Sequence, residues 1–376
     1  MTMIACTINR NVPVVMADIL ISGDQQPEKF ILPSHNENIL DFMDSRADFH
    51  PVMLLRKIYI SKSNVCVAFA GDVATIKKFL EDLVIFCKAH PSADAFAMQQ
   101  FCFGYGLKPG DDIAFLMVVA DIVNEEYRFL KMKYGDWNET QSPIFGDVMA
   151  AGSGAEDFIL ETMEAANYLS GFPQDSIEIA LQSNVILLCR LLSLEHISLR
   201  NTKNYWGAGF EMVYLMRQGF TFFDNITYII NHAAFDNTGG MEIPIPAIIM
   251  HYQYVDETLV ITAINPQQGT TEVKENFIII RYTEFKVKQF IVDPIYGGKT
   301  VDTDAIAADT SFTANRIAMG YVITTPAGDF LPASFNVGPE LLVEYKHLES
   351  VTIRIRKEMN DALADLSKQW YEGMHF

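Results

Sequence analysis

The spacing of apolar residues changes several times along the chain, and each change predicts an element. Residues 2–8 and 12–17 are apolar and β-branched enough for two strands, and Asn9-Arg10-Asn11 reads as a three-residue turn between them. Residues 22–56 are hydrophilic and irregular; a loop that long inside a compact domain reads as an insertion, a lid or an interface arm. Strands follow at Ile58–Ile60 and Val65–Ala70, around Lys62-Ser63-Asn64, the second ending at Gly71. From Val73 to Ala89 the apolar positions 73, 76, 80, 83, 84 and 87 have helical spacing. Pro91 stops that helix, and Ser92 is placed to cap a second one over 93–104.

Residues 113–120 and 127–133 predict another hairpin. A short strand, Val148–Ala151, runs into Gly152-Ser153-Gly154 and a helix over 155–168, with a further helix from about Ser176 to Leu192. Strands Phe210–Met216 and Phe220–Ile230 flank Arg217-Gln218-Gly219. Antiparallel strands separated by helix pairs imply an α+β chain of layered sheets with helices outside, rather than a doubly wound parallel sheet. A boundary is expected near Asp236–Gly240, dividing residues 1–236 from a mainly β region, 237–376. That region has strand-like runs at 243–254, 258–264, 276–282 and 287–292, a polar loop near 296–311, and a final helix from about Ile355 to Trp370.

Folding the first hairpin about Arg10 pairs positions whose numbers sum to twenty, so Cys6 faces Val14, Ile4 faces Met16 and Thr2 faces Asp18. Directly opposed side chains lie about 5 Å apart at Cβ, which sets a hydroxyl near the chain start beside a carboxylate. With Met1 removed, the α-amine of Thr2 becomes the neighbouring base. Such an amine titrates at about 7.7–8.0, which suits it to take a hydroxyl proton at neutral pH.

Composition narrows the possibilities. The chain has 376 residues, long enough for two domains or one elaborated domain, and 49% of them are hydrophobic, enough for a sizeable core. A formal net charge of −19 repels phosphate backbones and anionic lipid, so neither nucleic acid nor a membrane is an expected partner. No signal peptide and no run of about eighteen apolar residues is evident. Five cysteines, widely spaced in apolar sequence, read as free thiols in a reducing, cytoplasmic compartment. CxxC, HExxH and GxSxG are absent and the eight histidines show no ligand spacing, so no metal or cofactor is expected.

With Thr2, Asp18, Lys57, Gly71 and Gly152-Ser153-Gly154 in order, the first 220 or so residues resemble proteasome-type β subunits, members of the N-terminal-nucleophile hydrolases. TMIACT stands at the nucleophile-bearing first strand, VVMAD at the strand ending in an acid, and KIYIS…VAFAGD at the lysine strand and the glycine before the first helix. AAGSGAEDF matches the family's strand, GSG and helix. The resemblance implies a four-layer αββα sandwich and a homo-oligomer, a ring or dimer. It makes Thr2 the nucleophile, Lys57 a nearby cation held charged by Asp18, Gly71 N–H the oxyanion donor, and Ser153 a partner near the amine that positions water.

The implied function is threonine hydrolysis of peptide or other amide bonds. The alternatives are a non-catalytic assembly or binding subunit and a small-molecule amidase. The sequence departs from the family at Leu20, where a polar residue is usual, and at Asn201 and Asn204, where a second acid is expected. The stretch between Asp18 and Lys57 is more than twice the usual length, and residues 237–376 have no counterpart in the family fold.

Overall fold

A computed structural model describes residues 2–265 apart from 36, 45–47, 62–63, 91–93, 109–110, 124–125, 171–175, 217, 236–240, 243–246 and 256–257. Beyond these it describes 277–289, 316–324, 330–337, 342–347, 350–355 and, within 361–369, residues 361–362, 365 and 368–369. The chain is a mixed α/β protein, rich in sheet. Strands β1 (Met3–Asn9) and β2 (Val12–Asp18) form the centre of a six-stranded antiparallel sheet. Its other strands are β9 (Asn138–Ser142), β10 (Gly146–Gly152), β11 (Phe210–Met216) and β12 (Gly219–Phe222), in the order β12-β11-β2-β1-β10-β9. A four-stranded antiparallel sheet holds β5 (Ile58–Ser61), β6 (Val65–Gly71), β7 (Ile113–Val123) and β8 (Glu126–Tyr134).

Side-chain alternation explains why these two sheets stack. Ile4, Cys6, Val15 and Ala17 point from one face of the first sheet onto Ile58, Cys66, Ala68 and Leu116 of the second. Met3, Ala5, Val14 and Met16 point the other way, among the apolar residues of α3 (Ala155–Leu169) and α4 (Ile177–Ser198). Strands buried on both faces must be apolar throughout, which is why the opening residues lack a polar alternation. On the far face of the four-stranded sheet lie α1 (Val73–Ala89) and α2 (Ala95–Gly104). Ile76, Phe79, Leu80 and Leu83 make the buried stripe of α1, and burying each such side chain stabilises by about 1.5–3 kcal/mol. Asp72 caps α1 by accepting from Thr75 N–H, and Asp94, rather than the expected Ser92, caps α2 by accepting from Ala97 N–H.

A third, larger sheet changes the expected layering. It contains β13 (Ile226–Phe235), β14 (Met241–Glu242), β15 (Ile248–Val255), β16 (Thr258–Ile264), β17 (Phe277–Gln289), β18 (Arg316–Thr324), β19 (Phe330–Val337), β20 (Leu342–His347) and β21 (Ser350–Ile355). β18 and β19 pack on α4, where the Arg190 guanidinium donates to Pro332 O at 2.9 Å and Tyr168 of α3 donates to Ser334 O at 3.1 Å. Helix α4 is therefore enclosed between two sheets, while α3 keeps an exposed face that carries Glu156, Leu160 and Glu164, so the whole chain departs from a plain four-layer sandwich. Helix α4 is long and apolar enough to cross a bilayer, yet 61% of its apolar window is buried here, as fits a core helix.

Several local expectations shift. Phe220–Ile230 is not one strand: Asn225 turns at φ +58°, with Asp224 accepting from Asn225 and Tyr254 N–H, so β12 stays in the first sheet and β13 joins the third. Residues 50–56, expected to be irregular, form β4 (His50–Arg56), which pairs with β3 (Leu20–Gly23) and with the end of β17. Of the runs expected at 276–282 and 287–292, residues 277–289 form one continuous strand, β17, and the rest lie outside the described residues. The polar loop near 296–311 lies outside the described residues, as does most of the expected final helix; residues 361–362, 365 and 368–369 within it are helical. All five cysteines are free thiols.

Candidate active site

The hairpin that carries Thr2 and Asp18 turns more tightly than its sequence suggests. Arg10 and Asn11 both lie in the left-handed region, at φ +53° and +59°, as a two-residue type I′ turn requires. Pairing therefore runs Ile4↔Ala17, Cys6↔Val15 and Thr7↔Val14, so positions sum to twenty-one rather than twenty. A one-residue slip exchanges the two faces of a strand. It also sets Met3, not Thr2, across from Asp18, and Met3 N–H donates to Asp18 Oδ1 at 2.8 Å. Thr2 stands just before β1 and reaches the same oxygen from the strand end, its Oγ donating at 2.6 Å. The expected contact forms, by a different route from the expected register.

Asp18 is fully buried, and both its oxygens are used. Oδ2 accepts from Gly207 N–H at 2.9 Å and Leu20 N–H at 3.3 Å, while Lys57 Nζ donates to Oδ1 at 2.6 Å. Lys57 Nζ also donates to Leu20 O at 2.6 Å and touches Thr2 Oγ, which gives its three protons three acceptors. Burial pushes the Lys57 ammonium below its ordinary pKa, and the adjacent Asp18 opposes that shift. Leu20 serves through its backbone at both ends, its N–H donating to Asp18 Oδ2 and its O accepting from Lys57 Nζ.

Lys57 is fixed by its neighbours in sequence. Glu211 accepts from Arg56 Nε at 2.7 Å through one oxygen and from Ile58 N–H at 3.2 Å through the other. Glu211 is fully buried, which raises its carboxyl pKa against the lowering effect of Arg56. The Arg56 guanidinium lies over Phe222 and Tyr254, 4.4 and 4.9 Å from the ring centroids. Both residues flanking the lysine are thus clamped to β11, beside the strand that ends in Asp18.

Gly152-Ser153-Gly154 is required by close packing. A Cβ on Gly152, at φ +91°, would lie 2.1 Å from Thr2 O, and one on Gly154 would lie 2.5 Å from the Trp206 ring. Ser153 Oγ donates to Thr2 O at 3.3 Å. Gly71 ends β6, one residue before the Asp72 cap of α1. Thr2, Lys57, Gly71 and Ser153 all line one cleft of about 1500 Å³, with Asp18 buried beneath it.

Asn201 and Asn204 are elsewhere: Asn201 Nδ2 donates to Leu191 O at 3.3 Å, and Asn204 Nδ2 to Asp157 Oδ2 at 2.7 Å. Sequence reasoning missed Arg56, Glu211, Gly207 and Glu195. Glu195 accepts from Ser34 Oγ and from Ala208 N–H at 2.7 Å, bracing the loop whose Gly207 N–H holds Asp18. Burial pushes its carboxyl up to about 7. The available signal was a single acid inside an apolar run, as in GFEMVYLM. Among the described residues no group of three or more His, Cys, Asp or Glu is placed to hold a metal ion.

No family model matches the sequence, and no curated protein does. Solved structures that resemble the chain include eukaryotic HslV from Trypanosoma brucei, at 11% sequence identity and a TM-score of 0.32. The alignment covers 56% of this chain and 98% of that one. A likeness this low adds nothing to the chemistry, which rests on the site itself.

Proposed function

We propose that the protein is a proteasome-like threonine hydrolase that cleaves peptide or other amide bonds with Thr2 as nucleophile after removal of Met1. The observation that carries this reading is the Thr2 hydroxyl held between the Lys57 ammonium and the Asp18 carboxylate, 2.6 Å from Asp18 Oδ1, at the base of an open cleft. Residues 1–236 then form the hydrolase unit with an N-terminal-nucleophile fold, supported by the two facing sheets and the helix pairs on either side. Residues 237–376 are an additional, mainly β region.

In the proposed reaction the free α-amine of Thr2 takes the Oγ proton as Oγ bonds to the amide carbonyl carbon. Lys57, poised by burial and by Asp18, stabilises the deprotonated oxygen. The Gly71 N–H donates to the tetrahedral oxyanion, where a preorganised donor is most effective. Proton return to the leaving nitrogen breaks the amide bond and leaves an acyl ester on Thr2. Water, positioned near Ser153, gives its proton to the amine and its oxygen to the acyl carbon, which releases the acid and restores Thr2. Such hydrolases protect their sites by closed assembly, and we propose a homo-oligomer of closed symmetry.

A panel of peptide amides tests this with Met-free protein. Thr2→Ala abolishes turnover, Thr2→Ser retains part of it, and an extra residue fused before Thr2 abolishes it until removed. Turnover by Thr2→Ala protein at the wild-type rate places the chemistry elsewhere. A Met-free protein that turns over nothing favours the binding-subunit alternative.

A further inference from the structure

Six carboxylates line the cleft that Thr2 also lines: Asp24, Asp72, Asp111, Asp112, Asp136 and Glu156. They come from five separate segments. Asp24 follows β3, Asp72 joins β6 to α1, Asp111 and Asp112 precede β7, Asp136 follows β8, and Glu156 lies in the first turn of α3. Three of these segments, those of Asp72, of Asp111 and Asp112, and of Asp136, pack directly on one another. Asp72 N–H donates to Asp112 O at 2.6 Å, and a Cβ on Gly135 would come 2.7 Å from Ile113 O.

Among the described residues none of the six takes part in an ion pair. Asp72 and Asp111 accept local backbone N–H groups, from Thr75 and Lys108, which leaves their charge in place. The one cation among the described lining residues is Lys57, and Asp18 compensates it. A cleft walled by acidic side chains, with no cation among its described lining residues to offset them beyond Lys57, concentrates ligands of the opposite charge.

The remaining lining fits the same ligand. Phe49 and Val73 leave 40% and 45% of their surface exposed, offering apolar contact between the acids. Long cationic side chains match such a wall, with methylene stems on apolar surface and the charge among carboxylates.

We propose that the cleft selects amide substrates carrying a positive charge, a lysine or arginine side chain within a few residues of the bond to be cut. This rests on the hydrolase reading for the bond itself, while the charge selection rests on the cleft alone.

The test uses full-length, Met-free protein and matched peptide amides that differ only in Lys, Gln or Glu beside the scissile bond. The kcat/KM order is Lys above Gln above Glu. Lys exceeds Glu by about tenfold or more, mostly through KM, and the ratio shrinks as salt rises. The combined variant Asp112→Asn, Asp136→Asn and Glu156→Gln brings that ratio to within about twofold, while Glu164→Gln, an exposed acid outside the cleft, leaves it unchanged. Equal rates for the three peptides, or a ratio that survives the combined variant, overturns the proposal.

A second arm measures binding of fluorescent Lys-containing and Glu-containing peptides to Thr2→Ala protein. Tighter, salt-sensitive binding of the Lys peptide without turnover by the wild type upholds charge selection and rejects the hydrolase. Turnover with no charge preference in either arm does the reverse.

Discussion

Lys57 Nζ stands 2.6 Å from Asp18 Oδ1, with the lysine side chain 2% exposed and the aspartate fully enclosed. Removing one member of such a pair strands the other charge away from water, at a cost of about 3–5 kcal/mol. Lys57→Met and Asp18→Asn should each lower the stability seen in chemical denaturation by that amount. The double variant should lose clearly less than the sum, because neither charge is then left alone. Additive losses would show that the two groups do not compensate each other.

Glu195 predicts a pH dependence. Its carboxyl titrates near pH 7 in the folded chain against an ordinary value of 4.5, so between these the folded state keeps a proton that the unfolded chain has released. Its contribution is therefore most favourable below pH 4.5 and is lost as pH rises through 7, by about 3 kcal/mol at most. Glu195→Gln removes this term. The stability of the wild type relative to the variant should fall across that window, and taking the difference cancels neighbours such as His196, which burial pushes down to about 4. A flat difference would mean that Glu195 titrates normally.

Gly152→Ala tests how the site positions its hydroxyl. The new Cβ has no room beside Thr2 O, and φ +91° is strained for alanine, a cost of about 1–3 kcal/mol. Because the displaced atom is the backbone of Thr2, activity should fall by about a hundredfold or more, well beyond what the stability loss explains. Near-normal turnover by a folded Gly152→Ala protein would separate the GSG turn from the chemistry.

The elements that were legible are those whose signals are local. Helix α1 shows its apolar stripe and stops near Pro91, and Ser176 caps α4 at the expected place. Strand β9 was missed because Asn138–Ser142 is a polar edge strand, mostly exposed, with no alternation to read. The hairpin register was missed because the turn is set by two left-handed residues, while Asn9 remains in the ladder.

Thr2, Asp18, Lys57, Gly71 and Ser153 were legible because each sits at an element end in a recognisable order. Their supports were not. Glu211 lies 155 residues from Arg56, and Glu195 lies 161 residues from Ser34, so only the tertiary fold joins them. The third sheet likewise depends on pairings, such as β13 with β18, between segments far apart in the chain.

In the proposed reaction Thr2, with a free amine, is the nucleophile. Intact-mass measurement of the protein from its native host, before and after an acylating threonine-directed inhibitor, tests it most directly. The expected result is a chain lacking Met1 and a single adduct that maps to Thr2, formed far more slowly in Lys57→Ala protein. A chain that keeps Met1 and takes no adduct, or an adduct on any other residue, would contradict it.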